Sequence, residues 1–94
     1  MILGRERKNG KRVEVFTTST CTRCPLVKEY LDFCDVEYFE MIIDEDAEAE
    51  TDAMMFGIYS VPCLKIGKKV LKEKEIFMNG QLQWKKIKDF LMSS

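Results

Sequence analysis

The rhythm of apolar and polar residues changes repeatedly along the chain, and each change predicts an element. "RVEVF", Arg12–Phe16, alternates and is β-branched, the period-two pattern of a strand. The Thr/Ser-rich "TTSTCTRCP" that follows suits a loop, and then Val27, Tyr30, Leu31 and Cys34 recur at i, i+3, i+4 and i+7, one face of an amphipathic helix. Pro25 fits only in a first helical turn, since deeper inside its ring would clash and leave a carbonyl unbonded. This helix therefore starts at or between Cys21 and Cys24. "VEYFEMII", Val36–Ile43, predicts strand two, and Asp44 is the candidate cap of a second helix over "EDAEAETDAMMF". Ala49, Ala53 and Phe56 share its inner face, acids crowd the end where the helix dipole favours them, and Gly57 suits a left-handed C-cap.

"VPCLKI", Val61–Ile66, predicts strand three, with Gly67–Lys68 as a tight turn into "KVLKEKEIF", a long charged edge strand irregular near Lys72–Lys74. Asn79–Gly80 turns the chain into a third helix with Trp84, Ile87 and Leu91 on one face. Residues 1–11, polar and charged with a "KNGK" turn, predict a flexible N-terminal tail with a little strand at Met1–Leu3; residues 12–94 then form one domain. The resulting order, βαβαββα, has a parallel first pair with a right-handed crossover and an antiparallel hairpin. The fold class is α/β, one four-stranded mixed sheet with three helices on both faces.

Ninety-four residues, 46% hydrophobic and 33% charged, support one core and not two. The net charge of −1 excludes a strongly basic nucleic-acid footprint. No apolar run approaches the roughly 18 residues needed to cross a bilayer, and "MILGRERKNGKR" lacks the apolar centre of a secretory signal. These features predict a cytoplasmic protein whose thiols are mostly kept reduced. Histidine is absent, which removes Ser-His and Cys-His pairs, His-liganded zinc and imidazole proton shuttles.

Chemistry is then left to thiols, carboxylates, amines or a bound cofactor, and Cys21 and Cys24 draw attention by their place. A strand-to-helix junction offers Cys21 orphan N–H groups and the positive helix end, and Arg23 adds a cation; both favour the thiolate, the nucleophilic form. Cys24 lies one turn along, near enough for a disulfide and less exposed. The bland alternative is a pair of buried structural thiols. The second conspicuous feature is "YSVPC", Tyr59–Cys63, because a proline opening an interior strand is a poor choice unless its geometry is needed.

On these residues the chain resembles the thioredoxin/glutaredoxin superfamily in its short, glutaredoxin-type form. "VEVFTTSTCTRCPLVKEYL" is similar to that family's first strand, C-x-x-C and first helix, and "VPCLKIGKKV" to its apolar-Pro strand opening, a match over about residues 12–92. The resemblance implies a thioredoxin-like fold, a cis Pro62 beside the dithiol, and a thiol–disulfide oxidoreductase. Cys21 would be the nucleophile and Cys24 the resolving thiol, with Thr20, Thr22, Arg23, Ser60, Val61 and Pro62 forming the substrate-binding rim. It further implies disulfide-containing protein substrates and an electron-donating, thioredoxin-reductase-like partner. A monomer with no cofactor beyond the Cys21–Cys24 disulfide, no metal, no nucleic acid and no membrane is expected.

Departures from the family pattern narrow the activity. Glutathione-using members carry a lysine where this chain has Thr18, and a Gly-Gly then Ser/Cys-Asp stretch where it has "EIFMNGQL"; thioredoxins carry a buried aspartate at the place of Val15. The expected activity is thioredoxin-like and independent of glutathione. The alternatives are a glutathione-dependent glutaredoxin, a metal- or iron–sulfur-binding module, and a redox-inactive adaptor. Potentials of C-x-x-C proteins span about −270 to −120 mV with thiolate stabilisation, so either direction of electron flow is open at this point. Among the remaining features, Cys34 is expected to pack on its helix's apolar face, and Cys63 either packs or acts as a third thiol. Met54, Met55 and Trp84 are expected in the core, and the acidic run Asp44–Asp52 on a solvated helix start.

Overall fold

The computed structural model describes residues 12–92, so the expected tail over residues 1–11 lies outside the described residues. Strand β1 (Val13–Thr17) is buried at every position because it is paired along both edges and covered on both faces. Its neighbours are β2 (Tyr38–Ile42), parallel, and β3 (Cys63–Ile66), antiparallel; β4 (Lys69–Leu71) pairs antiparallel with β3 and completes the order β2-β1-β3-β4. The α/β class and the four-stranded mixed sheet are as the pattern of the sequence predicts.

Alternation along the strands divides the core in two. Val13, Val15, Leu64, Ile66 and Leu71 point to one face, where Val27 and Leu31 of α1 (Cys24–Phe33) and Ile87 and Leu91 of the last helix meet them. Phe16, Met41 and Cys63 point to the other, against Ala49 and Ala53 of α2 (Ala47–Met55). Each fully buried Leu or Ile contributes about 1.5–3 kcal/mol relative to exposure, so these two layers fix the strand ends that carry the site. Among the described residues, no helix is long and apolar enough to cross a membrane.

The structure corrects several expectations. The cap of α2 is Asp46, whose carboxylate accepts from the Glu48 N–H at 3.0 Å, and not Asp44. Gly57 follows that helix with φ +69°, the left-handed conformation expected of it. Strand three begins at Cys63 instead of Val61, since Pro62 has no N–H for the ladder. The long edge strand is absent. After β4 the chain forms one helical turn, α3 (Glu73–Ile76), a fourth helix beyond the three expected. As a strand, Lys72–Phe77 would put two charged residues on whichever face it buried; the turn instead sends Leu71, Ile76 and Phe77 inward and the charges outward.

Asn79 and Gly80 do not lead directly into a helix either. Both have positive φ, +54° and +77°, the geometry of a two-residue hairpin turn, and they join β5 (Phe77–Met78) to β6 (Gln81–Leu82) as a separate two-stranded sheet. Helix α4 (Trp84–Met92) follows. The expectation of core positions fails for Met54, Met55 and Trp84, which are 67%, 70% and 49% exposed. Helix α2 buries only its two alanines, which lets it lie close to the sheet and leaves the adjoining methionines facing water.

Candidate active site

Strand β1 ends at Thr17, whose hydroxyl donates to Glu40 of β2 at 3.0 Å, and the chain then enters the loop that carries Cys21. Ser19 fixes this loop: its N–H donates to the Asp44 carboxylate at 3.0 Å and its hydroxyl to the other oxygen at 2.5 Å. These two bonds hold the Asp44 carboxyl below the usual carboxylate range. Asp44, expected as a helix cap, thus tethers the C-x-x-C loop to the β2–α2 connection. A turn closed by the Cys21 N–H on the Thr18 carbonyl, 3.2 Å, then presents Cys21.

Cys21 and Cys24 form a disulfide with their Cα atoms 5.6 Å apart. The two sulfurs are not equivalent. Cys21 is half-buried, whereas Cys24, the first residue of α1, is 2% exposed. The N–H of Cys24 donates to Cys21 Sγ at 3.2 Å. The cap residue Arg23 makes no side-chain bond to the helix and Pro25 lacks an N–H, so the Cys21 sulfur receives a first-turn donor with no side-chain competitor. A sulfur at that position gains from the N–H and the helix dipole most when it is a thiolate.

Arg23 is not a free cation beside the dithiol. Its guanidinium lies 2.8 Å from Glu73 Oε2 and 5.0 Å from the centre of the Phe77 ring, so the loop is linked to α3 and β5. The sequence reading missed Glu73 and Phe77 because it placed both in a strand; the only available signal was the charge–apolar spacing that the helical turn resolves.

The Val61–Pro62 peptide bond is cis and Pro62 is buried. The pairing of Phe16 with Cys63 puts this bond at the sheet end from which β1 runs into the Cys21 loop. Thr20, Thr22 and Ser60 are exposed and Val61 half-buried, so the expected rim residues lie on the two loops at that end. Cys63 departs from them. Its side chain enters the α2-side core, Sγ lies 3.2 Å from the Leu71 carbonyl, and burial pushes its thiol up to about 12. A cavity of about 190 Å³ lies beside it, bounded by Gly57–Ser60 and Lys72–Lys74. Cys34, half-buried, lines an apolar hollow between α1 and α4 with Tyr30, Phe33 and Trp84, so it packs beside its helix's apolar face without being enclosed. Among the described residues, no cluster of three metal-ligating side chains occurs.

The family model for glutaredoxin matches residues 13–71, the segment from β1 through both cysteines and the cis-proline to β4. Solved structures agree. The thioredoxin-like protein BC3987 is 28% identical with a TM-score of 0.67, covering 83% of this chain and 97% of its own. The glutaredoxin Grx-1 of Archaeoglobus fulgidus is 27% identical with a TM-score of 0.62, covering 94% of this chain and 97% of its own. The glutaredoxin-like NrdH-redoxin of Escherichia coli shares the fold at 18% identity and a TM-score of 0.57, over 65% of this chain and 80% of its own. None of the curated proteins compared with the chain matches it.

Proposed function

This chain belongs to the glutaredoxin family, and we propose that it reduces disulfides in protein substrates through a Cys21–Cys24 dithiol, in the manner of a thioredoxin. Thiol–disulfide redox chemistry follows from the family and the paired cysteines; the direction, the substrate class and the roles are our reading. The observation that carries it is the asymmetry of the pair: an N–H directed at Cys21 Sγ, and a Cys24 sulfur shut from solvent.

In this mechanism the Cys21 thiolate attacks one sulfur of the target disulfide. A Cys21–target disulfide forms, the target bond breaks, and the other target sulfur leaves as thiolate. Cys24 then gives up its proton to a released thiolate and attacks Cys21 Sγ. The Cys21–Cys24 disulfide forms, the second target sulfur departs, and two electrons have passed to the target. Thr20, Thr22, Arg23, Ser60 and Val61 make the contact surface over the buried cis Pro62, with the Val61 backbone pairing to an extended substrate segment. A thioredoxin-reductase-like partner returns two electrons, and the monomer needs no further cofactor. Thr18 in place of a lysine supports independence from glutathione.

Insulin reduction with dithiothreitol tests this reading. The wild type accelerates precipitation of the B chain and Cys21→Ser does not; an inactive wild type would overturn it. A glutathione-coupled hydroxyethyl-disulfide assay gives slow turnover, and rapid turnover would favour the glutathione-dependent alternative.

A further inference from the structure

Arg23 lies inside the C-x-x-C, where a cation would stabilise the Cys21 thiolate and with it the reduced pair. Yet its guanidinium is committed elsewhere, to the Glu73 carboxylate at 2.8 Å and to the face of Phe77 at 5.0 Å. Phe77 is a firm platform, 5% exposed and held by the β5–β6 pairing. Glu73 is the first residue of α3, with a side chain only 21% exposed, so the contact is partly shielded from water. Other charged groups at this end are Asp44, bound to Ser19, Lys72 and Lys74 flanking Glu73, and Glu75 on the same helical turn.

We propose that Glu73 is a positioning residue for the dithiol: by holding Arg23 against Phe77 it withholds that cation from the Cys21 sulfur and makes the pair a stronger reductant. This rests on the oxidoreductase reading for its significance but not for its measurement. A half-exposed ion pair of this kind contributes little to stability, about 0–1 kcal/mol, so its consequence is the placement of charge. When the dithiol is oxidised the thiolate charge at Cys21 is lost. An arginine released towards that sulfur therefore stabilises only the reduced form and raises the potential, whereas an arginine held by Glu73 does so less.

The test is a double-mutant cycle of Glu73→Gln and Arg23→Gln, read by equilibration with reduced and oxidised dithiothreitol and by the pH profile of Cys21 alkylation with iodoacetamide. Glu73→Gln is expected to shift the equilibrium constant about tenfold towards the dithiol, about 30 mV for a two-electron couple, and to speed alkylation at pH 6 several-fold. In the Arg23→Gln background the same substitution is expected to do almost nothing. An unchanged potential in Glu73→Gln overturns the proposal. So does an equal shift in both backgrounds, which would mean that Glu73 acts on the sulfur directly. Neither readout requires a protein substrate, so failure of insulin reduction and failure of this inference are separate results.

Discussion

Cys24 donates its backbone N–H to Cys21 Sγ at 3.2 Å while its own sulfur is enclosed, so one helix start directs a donor at one sulfur and hides the other. Labelling of the fully reduced protein should follow that division. With limiting iodoacetamide at pH 6.5, peptide mapping by mass spectrometry is expected to find Cys21 alkylated about an order of magnitude faster than Cys24. Cys63 should stay unlabelled in the folded state, because burial pushes its thiol up to about 12 and leaves almost no thiolate at that pH. Labelling of Cys24 or Cys63 ahead of Cys21 would contradict the assignment of roles.

Much of this arrangement was legible in the residues themselves. The strand-to-helix junction at Cys21–Cys24 followed from alternation in Arg12–Phe16, the helical spacing of Val27, Leu31 and Cys34, and the one turn that tolerates Pro25. Tertiary contacts decided the rest. Ile76 and Phe77 both face the same core layer, which a regular strand does not allow for neighbours, so the segment after Leu71 had to curl, and that curl brings Glu73 to Arg23. Asp44 and Asp46 are the same residue type, and the expected cap was Asp44. Only the tether to Ser19, whose partner is twenty-five residues distant, distinguishes them.

Glu14 is a buried carboxylate in the middle of β1, opposite Lys65 of β3, whose Nζ reaches it at 2.9 Å; Arg12 adds a second ion pair at 2.8 Å. Burial alone would raise its carboxyl, but the bonds and charges of Lys65 and Arg12 outweigh burial and lower it from 4.5. A lowered folded value means stability that is present above the unfolded value and lost as pH falls through the folded one, a window lying below about 4.5. Lys65→Met leaves a buried charge with one partner and should cost about 2–4 kcal/mol at pH 7 in urea unfolding, near the range for broken buried pairs. As pH falls through the lowered folded value the difference between variant and wild type should shrink, since a neutral carboxyl no longer needs the ammonium. A penalty that is constant across this range would show that Lys65 acts by packing over the Phe56 ring, 4.6 Å away, and not through Glu14.

The two aspartates before α2 can be separated because they perform different tasks two residues apart. Asp46 satisfies the Glu48 N–H at the helix start, so Asp46→Ala should destabilise the fold by about 1 kcal/mol while leaving the redox site in place. Asp44 holds no helix donor. It holds the N–H and hydroxyl of Ser19, two residues before Cys21, and its carboxyl is kept below the usual range by those same bonds. Being fully exposed, it should contribute little to global unfolding, and Asp44→Ala should instead loosen the loop that aims Cys21. Thermal unfolding and insulin reduction measured together give a crossed pattern: stability lost with activity kept for Asp46→Ala, and activity reduced several-fold with stability kept for Asp44→Ala. The reverse pattern would return the cap to Asp44 and remove the tether from the account of how Cys21 is placed.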